Sequence, residues 1–256
     1  MRLLEGKHAF ISGAANGIGR AAAGRFVAEG AAVYLVDVEV DRLDALVTDL
    51  ASGAPSAVIG AAVDIRDEAA VEAAVVEAEQ RLGGLDVVVV NAAVEPPDDA
   101  SILDLELEVW RRVIETNLTG CFLTAKHGAR ALVRGGRPGP SLVFTASPTG
   151  VLGLAAGQDA YSASKGGVLG LMRVAAADLA GLGIRVNAVM PGLTDTRANA
   201  ALLADPVARQ AALAAVPLGR EAQPSEIAAA IAWLASDQAS YATGSVLVVD
   251  GGVTAI

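Results

Sequence analysis

Cysteine and histidine are scarce in this chain of 256 residues, which has one cysteine and two histidines. The single cysteine, Cys121, excludes an internal disulfide, and its apolar helical context predicts that it packs as a small hydrophobe. His8 and His127 lie far apart in sequence and have no neighbouring pair of cysteines, so we assign both to structural roles. The sequence therefore predicts no metal site.

Clusters of positive charge and long apolar runs are also missing. The 19 Lys and Arg residues are outnumbered by 29 Asp and Glu residues and form no basic stripe, which argues against a nucleic-acid partner. No apolar run reaches the roughly 18 residues that span a bilayer, and the first residues lack the layout of a signal peptide. We therefore expect a cytoplasmic protein that binds neither nucleic acid nor a membrane.

What the chain does contain is a regular alternation of short β-rich apolar segments with longer segments of helical period. This alternation predicts βαβ units, a parallel sheet and helices on both of its faces. No linker or change in charge pattern divides the chain, so we expect residues 1–256 to form one Rossmann-type α/β domain, doubly wound in three layers, with a seven-stranded parallel sheet. The predicted strands are 8–12, 32–37, 57–63, 86–91, 141–146, 185–190 and 245–249.

The predicted helices are 17–29, 42–51, 68–82, 106–133, 159–182 and 225–236. The longest segment outside the alternation, residues 193–223, is rich in alanine, and we expect it to be partly helical. Because insertions at the carboxyl end of a parallel sheet lie where open α/β folds bind ligands, this segment is a candidate substrate lid. A pair of ordinary surface helices is the alternative.

A glycine-rich turn follows the first predicted strand. Gly13, Gly17 and Gly19 stand in Gly-x-x-x-Gly-x-Gly spacing, with Asn16 and Ile18 between them. Glycines permit a tight turn and the close approach of a pyrophosphate, which then lies at the positive end of the helix dipole. Glycine trios also occur in ordinary turns, so the position between a strand and a helix carries much of the signal.

Asp37 ends the second predicted strand, 18 residues after Gly19. A carboxylate roughly 20 residues beyond such a turn binds the adenosine ribose hydroxyls of a dinucleotide. It would repel a 2′-phosphate, and neither Asn16 nor Val38 adds a cation at this point, so we predict NAD as the cofactor. A turn residue at a strand end is the alternative for Asp37.

Tyr161 and Lys165 lie four residues apart in the fifth predicted helix. Residues at this spacing share one helix face, roughly 6 Å apart along the axis. An ammonium beside a phenol favours the phenolate and lowers its pKa, which would suit the tyrosine to general acid–base catalysis. An isolated pair of this kind is most often an ordinary surface pair, so the surrounding motifs decide the interpretation.

These motifs stand in an order that resembles the short-chain dehydrogenase/reductase family, in its single-domain branch, and the resemblance covers nearly the whole chain. In order, the matching motifs are Gly13-x-x-x-Gly17-x-Gly19, Asp64, Asn91-Ala92-Ala93, Asn117-Leu118-Thr119-Gly120, Ser147, Tyr161-x-x-x-Lys165, Pro191-Gly192, Thr243-Gly244 and Val249-Asp250-Gly251-Gly252.

The resemblance implies a role for each matched residue. It makes Tyr161 the acid/base, Ser147 the hydrogen-bond partner of the substrate oxygen, and Lys165 the residue that holds the nicotinamide ribose. Asn117 would hold a water that links Lys165 to solvent, and Thr194 and Thr196 would contact the nicotinamide carboxamide. Further cofactor contacts are expected at Asp64, Ile65, Asn91, Ala92, Ala93, Pro191 and Gly192, and at Tyr161 itself. On its own sequence context, Asp64 could instead cap the helix that begins near Asp67.

The implied reaction is hydride transfer between a small-molecule substrate, a secondary alcohol or its ketone, and the nicotinamide. The family also implies a homotetramer paired through the fourth and fifth helices, where Gly166, Gly167 and Leu171 would permit close packing. The acidic loop 95–99 follows the fourth strand near the predicted site and could contact substrate, although a solvated turn is its simpler interpretation.

Three other functions are weighed against this one. A serine hydrolase is discarded, because Ser147 lacks the Gly-x-Ser-x-Gly context and no histidine follows it. A 3-oxoacyl thioester reductase of the same family generally works with NADPH, and Asp37 counts against it. A non-catalytic dinucleotide-sensing protein on the same fold could lose its catalytic residues, whereas this chain keeps Asn117, Ser147, Tyr161 and Lys165.

Overall fold

The computed structural model describes residues 2–53 and 56–255. Its strands are β1 His8–Ser12, β2 Ala32–Asp37, β3 Val58–Ala62, β4 Val87–Val90, β5 Ser141–Thr145, β6 Arg185–Pro191 and β7 Val246–Val249. They form one sheet in the order β3-β2-β1-β4-β5-β6-β7, and every pair is parallel. The seven-stranded parallel sheet predicted from the sequence is confirmed.

Helices cover the sheet on both faces and connect successive strands. They are α1 Gly17–Ala28, α2 Val40–Ala51, α3 Glu68–Leu82, α4 Leu107–Ile114, α5 Cys121–Gly135, α6 Asp159–Ala180, α7 Ala200–Ala204, α8 Pro206–Leu213 and α9 Pro224–Ala235. Among the described helices, none is both long and apolar enough to cross a membrane.

The strands are buried on both faces because each face packs against its own layer of helices. All four valines of β4 are buried, as expected for a central parallel strand. One core joins the sheet to α3, α5 and α6 through side chains such as Val71 and Met172. The other joins it to α1, α2 and α9 through side chains such as Phe26 and Ile231. The resulting helix–sheet–helix sandwich is the predicted three-layer fold.

Observed boundaries differ from the predicted ones by one or two residues at most ends, as usual for helix and strand termini. The main difference lies in the predicted fourth helix, 106–133. A π-helical turn, Glu115–Gly120, separates α4 from α5 within one continuous helical segment. Such turns often occur at functional sites, and this one contains Asn117.

The strand order reverses direction between β1 and β4, which are neighbours in the sheet although two βα units separate them in the chain. Loops that leave these two strands run to opposite sides, so a crevice opens above their carboxyl ends. The glycine turn follows β1 and Asn91 follows β4, which brings both sequence motifs to the rim of this crevice.

The segment 193–223 contains a 3-10 turn at Arg197–Asn199 and the short helices α7 and α8. It is therefore partly helical, as the alanine content predicts. A β-bridge between Thr194 and Ala222 ties its two ends together. The segment begins directly after β6 and folds back over the carboxyl end of the sheet.

The two glycines predicted for subunit packing, Gly166 and Gly167, lie against other parts of their own chain. A Cβ built on Gly166 would be 3.2 Å from the carbonyl oxygen of Gly150, and one built on Gly167 would be 2.8 Å from Leu118. Their small size is explained by packing within the protomer, between α6 and the segments that precede it. They consequently carry no argument for a tetramer.

Candidate active site

A cavity of about 950 Å³ opens at the carboxyl ends of the strands. It contains nearly all of the site residues predicted from the sequence. Those that line it are Gly13, Asn16, Gly17, Ile18, Asp37, Asp64, Ile65, Asn91, Ala92, Ala93, Ser147, Tyr161, Lys165, Pro191, Gly192, Thr194 and Thr196. Gly19 and Asn117 are absent from the lining, and both pack behind it.

The glycine turn has no room for larger side chains. Gly13 and Gly17 have φ angles of +66° and +51°, in the left-handed region that glycine adopts without strain. A Cβ on Gly13 would lie 2.6 Å from the Cα of Ala92, and one on Gly19 would lie 1.9 Å from the carbonyl oxygen of Gly13. No side chains therefore cover the backbone at the start of α1, and its N–H groups and helix dipole favour a bound pyrophosphate there.

Asp37 supports this turn and lines the cavity beside it. Its Oδ2 accepts a hydrogen bond of 2.9 Å from the backbone N–H of Ala15, and its Oδ1 accepts one of 3.0 Å from Glu39. Each carboxylate oxygen has a further lone pair, so both remain able to accept bonds from ribose hydroxyls.

Two arginines that the sequence interpretation overlooked reach the same end of the cavity. Arg42 donates a hydrogen bond to Oδ1 of Asn16 at 3.0 Å and lies 3.0 Å from Glu39. Arg197, from the segment after β6, donates to both carboxylate oxygens of Glu39 at 2.7 and 2.8 Å. Glu39 thus engages both cations, and the Arg197 contact joins the far segment 193–223 to the loop after β2.

The side chain of Asn91 connects the ends of three strands by hydrogen bonds. Its side-chain amide donates to the carbonyl oxygens of Ser12 and Gly13, each at 3.2 Å, and its Oδ1 accepts a 3.1 Å bond from the hydroxyl of Thr145. The loops after β1, β4 and β5 are consequently fixed relative to one another.

Tyr161 and Lys165 project into the cavity from the first turns of α6. The Lys165 ammonium lies 5.6 Å from the centroid of the Tyr161 ring. It donates a 2.9 Å hydrogen bond to the carbonyl oxygen of Thr145, and the lysine side chain is almost fully buried. An ammonium has three N–H donors, and this is the one bond that it makes within residues 2–53 and 56–255. Its remaining donors are available to a ligand in the cavity, which is what a ribose with two hydroxyls requires.

Burial shifts the pKa values of both residues in the direction that disfavours their charged forms. Loss of solvent raises the pKa of Tyr161, the charge of Glu95 raises it further, and the Ser147 hydroxyl acts in the opposite direction. Desolvation also lowers the pKa of Lys165, against the opposing effects of Cys121 and Glu95. The sequence predicts a lowered pKa for Tyr161, whereas the structure gives the reverse direction, because burial of the phenol disfavours its charged form.

Ser147 lies two residues after the end of β5 and lines the same cavity as Tyr161. Its side chain caps the short turn Pro148–Gly150 by accepting from the backbone N–H of Thr149 at 3.4 Å, and the two hydroxyls lie 3.0 Å apart. Pro148 occupies the first position of this turn, where a backbone N–H is not needed. The hydroxyl of Ser147 is therefore held in place beside Tyr161.

Asn117 is fully buried in the π-helical turn and holds the loop after β4. Its Oδ1 accepts from the backbone N–H of Val94 at 2.7 Å, and its Nδ2 donates to the Val94 carbonyl oxygen at 2.8 Å and to the Ser164 hydroxyl at 3.2 Å. The side chain thus links this loop to α6 one residue before Lys165. The water relay implied by the resemblance stays a prediction.

The remaining predicted contacts lie at the two ends of the cavity. Asp64 is paired with Arg66 at 2.5 Å, and this hydrogen bond holds the pKa of the carboxyl below its usual range. The helix-cap alternative for Asp64 is wrong, because Asp67 caps α3. At the other end, Asn199 donates to the carbonyl oxygen of Thr194 at 2.9 Å and lies 3.5 Å from the Thr196 hydroxyl.

The acidic loop 95–99 is not the solvated turn that the sequence suggests. Asp99 accepts hydrogen bonds from the backbone N–H groups of Ala160 at 3.2 Å and Tyr161 at 2.9 Å. Gln158, the N-cap residue of α6, makes no capping bond with its own side chain, so Asp99 replaces it from another part of the chain. Asp99 therefore positions the turn that carries Tyr161.

We predict that Asp99→Ala both destabilises the protein and slows turnover. Loss of a helix cap costs about 1 kcal/mol, which for a chain of this size lowers the melting temperature by about 2–4 °C. We expect kcat to fall while cofactor affinity is retained, since Asp99 does not line the cavity. Asp159→Ala is the matched control, because Asp159 lies in the same turn and makes no capping bond. A melting temperature and kcat equal to those of the wild type would refute the role of Asp99.

Known proteins resemble this chain over nearly its whole length. A family model described as enoyl-(acyl carrier protein) reductase matches residues 13–254. The chain is 43% identical to the cis-4-hydroxycyclohexanecarboxylate dehydrogenase of Sinomonas cyclohexanicum, over 97% of this chain and 96% of that one. It is 39% identical to the 3-oxoacyl-[acyl-carrier-protein] reductase FabG of Thermotoga maritima, over 98% of each chain.

A solved structure shares the fold. A short-chain type dehydrogenase/reductase from Mycobacterium marinum superposes with a TM-score of 0.92 at 33% sequence identity, covering 99% of this chain and 97% of that one. The fold and these relatives define a nicotinamide-dependent oxidoreductase. The chain belongs to the short-chain dehydrogenase/reductase family.

Proposed function

We propose that the protein is an NAD-dependent dehydrogenase that interconverts a small secondary alcohol and its ketone. The observation that carries this proposal is the convergence of Tyr161, Ser147 and Lys165 on one cavity that also contains the glycine turn and Asp37. A non-catalytic dinucleotide-binding protein would need the turn, Asp37 and a ribose ligand such as Lys165, but it has no use for the hydroxyls of Tyr161 and Ser147. Purified protein, NAD and a panel of secondary alcohols, cyclic diols, sterols and sugar alcohols should produce NADH absorbance, and its absence across the panel would refute the proposal.

Tyr161 and Ser147 would act on the substrate oxygen. The Ser147 hydroxyl is held by Thr149 and orients that oxygen by a hydrogen bond, and the Tyr161 phenol takes its proton during oxidation or returns one during reduction. When bound, the nicotinamide supplies the hydride acceptor or donor. Proton and hydride then leave by separate routes, which the arrangement of these side chains permits.

Lys165 would bind the nicotinamide ribose, and its positive charge would stabilise the phenolate of Tyr161. Its ammonium is held by the Thr145 carbonyl oxygen, so it presents its remaining donors to the cavity from a fixed point. A positive charge 5.6 Å from the Tyr161 ring favours the phenolate, and the positive charge of an oxidised nicotinamide adds to it. Together they oppose the burial that raises the pKa of the phenol in the chain alone.

We assign NAD rather than NADP on the position of Asp37. Its carboxylate lines the adenosine end of the cavity with accepting capacity for ribose hydroxyls, and a 2′-phosphate would meet its negative charge. Arg42 and Arg197 lie nearby, but Glu39 engages both of them. Neither arginine is therefore a free phosphate ligand.

We predict that Asp37→Ala raises the KM for NAD and relaxes discrimination against NADP. A hydrogen bond to a charged group contributes about 1.5–3 kcal/mol, so the selectivity ratio should fall by about 10-fold or more. The matched control is Asp41→Ala, since Asp41 is an exposed carboxylate on α2 that does not line the cavity. An Asp37→Ala variant whose ratio of kcat/KM values for the two cofactors equals that of the wild type would rule out this assignment.

A 3-oxoacyl thioester reductase is the second candidate, favoured by the 39% identity to FabG of Thermotoga maritima. Asp37 argues against it through the preference for NAD. Assays with a 3-oxoacyl thioester and each reduced cofactor separate the two candidates. Faster thioester reduction than alcohol oxidation, at saturating cofactor, would favour the reductase.

We also propose a cytoplasmic homotetramer that pairs through the long helices. The support is a set of apolar side chains on α5 and α6 that are 44–61% exposed in the single chain: Phe122, Val133 and Val174. Exposed apolar patches of this kind often mark protein interfaces. Light scattering on the purified protein measures the oligomeric state.

A further inference from the structure

Two polar side chains in the cavity that contains Tyr161 have no role in the proposed transfer of the proton and the hydride. Glu95, from the loop after β4, and Gln158, at the start of α6, both line the cavity that contains Tyr161 and Ser147. They touch each other, with the Gln158 Nε2 donating to the Glu95 Oε1 at 2.5 Å. A second polar pair therefore lies in the same cavity as the catalytic hydroxyls.

This pair is left with unused hydrogen-bonding capacity. The second carboxylate oxygen of Glu95, Oε2, accepts no bond from residues 2–53 and 56–255, and the Gln158 amide retains a further N–H and its own oxygen. Burial raises the pKa of Glu95 and Asp99 adds to the rise, while Gln158 and Lys165 act against it. The protein thus only partly compensates the desolvation of this carboxyl, and a hydrogen-bond donor on a ligand would complete the compensation.

We propose that Glu95 and Gln158 form a second hydroxyl-binding subsite, which makes a diol the preferred substrate of this enzyme. The inference rests on the proposed function: one hydroxyl reacts at Tyr161 and Ser147, and the other donates to Glu95 and accepts from Gln158. Such a bond to a carboxylate is among the stronger hydrogen bonds in proteins.

Charge in the cavity favours a neutral hydroxyl over the other polar groups that a substrate could present there. A carboxylate on the substrate would be repelled by Glu95, and Asp99 adds negative charge to the same loop. An ammonium would join the buried cation of Lys165, whose charge acts on Glu95, and the positive nicotinamide of an oxidised cofactor. A hydroxyl satisfies the free oxygen of Glu95 without either repulsion.

The test compares each diol with the mono-alcohol of the same skeleton. The substrates are cyclohexane-1,2-, 1,3- and 1,4-diol against cyclohexanol, butane-2,3-diol against butan-2-ol, and 2-aminocyclohexanol as the cationic analogue. We expect the wild type to prefer at least one diol over its mono-alcohol by about 10-fold or more in kcat/KM, the effect of one charge-assisted hydrogen bond. The preferred diol also reports the spacing between the two subsites.

Variants then assign the preference to the subsite. Glu95→Leu, which keeps the bulk and removes the polar atoms, should abolish most of the diol preference, and Glu95→Gln should retain part of it. Asp104→Asn is the control, because Asp104 is an exposed carboxylate of the following loop outside the cavity, and the ratio should not change. The readout is a ratio of two substrates on one variant, so a general loss of activity or stability cancels.

Other outcomes of these assays would refute either the subsite, its assignment to a hydroxyl, or the proposed function. A wild type that oxidises alcohols without preferring any diol, or a Glu95→Leu variant with an unchanged ratio, refutes the subsite while leaving the proposed function in place. Preference for 2-aminocyclohexanol over the diols refutes the assignment to a hydroxyl. If none of the wider panel of alcohols is oxidised, the proposed function itself fails, and the subsite fails with it.

Discussion

Replacing Tyr161 by phenylalanine should lower alcohol oxidation by about 10²–10⁴-fold, the contribution of a positioned general acid–base group. The change removes one oxygen from a side chain that lines the cavity beside Ser147 and leaves the ring in place. Without the phenol, no other side chain described in contact with Ser147 can take the proton of the alcohol, since Thr149 is an ordinary hydroxyl. Turnover with saturating NAD and alcohol, followed by NADH absorbance, measures the loss.

Measuring cofactor binding distinguishes the loss of acid–base catalysis from a general disruption of the active site. Fluorescence titration with NADH should give the same dissociation constant for Tyr161→Phe and the wild type, because the phenol acts in the chemical step. Tyr241→Phe is the matched control, since Tyr241 is fully exposed and lies outside the cavity. If Tyr161→Phe retains most of the turnover, another group carries the proton and the proposed mechanism is wrong.

Replacing Gly19 by alanine should weaken cofactor binding without touching any catalytic side chain. The added Cβ would lie 1.9 Å from the carbonyl oxygen of Gly13 and 2.7 Å from the Asn91 amide nitrogen, so the glycine turn must move. Overpacking of this kind costs about 1–3 kcal/mol, which corresponds to roughly 5–150-fold in the dissociation constant if the strain falls on the bound state. NADH titration measures the loss of cofactor affinity, and a thermal melt measures any loss of stability.

Gly24 provides a matched control within the same helix. A Cβ at Gly24 would lie 3.9 Å from Leu50, an ordinary contact distance, and alanine is the better helix former by about 1 kcal/mol. Gly24→Ala should therefore bind NADH as the wild type does and melt at the same or a higher temperature. Equal affinity and equal stability for Gly19→Ala and the wild type would mean that the glycine turn is not tightly packed around Gly19.

The fold could be read from the sequence because its signals are local. Each strand is a short apolar segment such as Val87–Val90, and each connection repeats the same βα pattern, so the period alone predicts the order and direction of the elements. The π-helical turn at Glu115–Gly120 could not be read in this way. The turn is only six residues long, which is too short for a change of helical period to be recognised in the hydrophobic pattern.

The site could be predicted only as far as its residues form short motifs. The glycine turn, Asp37 and the Tyr161–Lys165 pair are recognisable within a few residues. Glu95 and Gln158 are 63 positions apart, and Asp99 caps a helix that begins about 60 residues later, so no sequence spacing reveals either contact.

The ionisation of Tyr161 also depends on tertiary structure. The sequence gives the distance to Lys165 along the helix, but the burial that raises the pKa of the phenol comes from packing of α6 against other elements. Likewise, Gly166 and Gly167 suggest a subunit interface only until the approach of Gly150 and Leu118 accounts for them.

The most direct test of the central claim is a crystal structure of the ternary complex with NADH and an unreactive alcohol or ketone analogue. The proposed function predicts that the analogue's oxygen lies about 2.6–3.2 Å from both the Tyr161 Oη and the Ser147 Oγ, with its neighbouring carbon facing the nicotinamide. An oxygen held elsewhere in the cavity, with Tyr161 and Ser147 unengaged, would contradict the account.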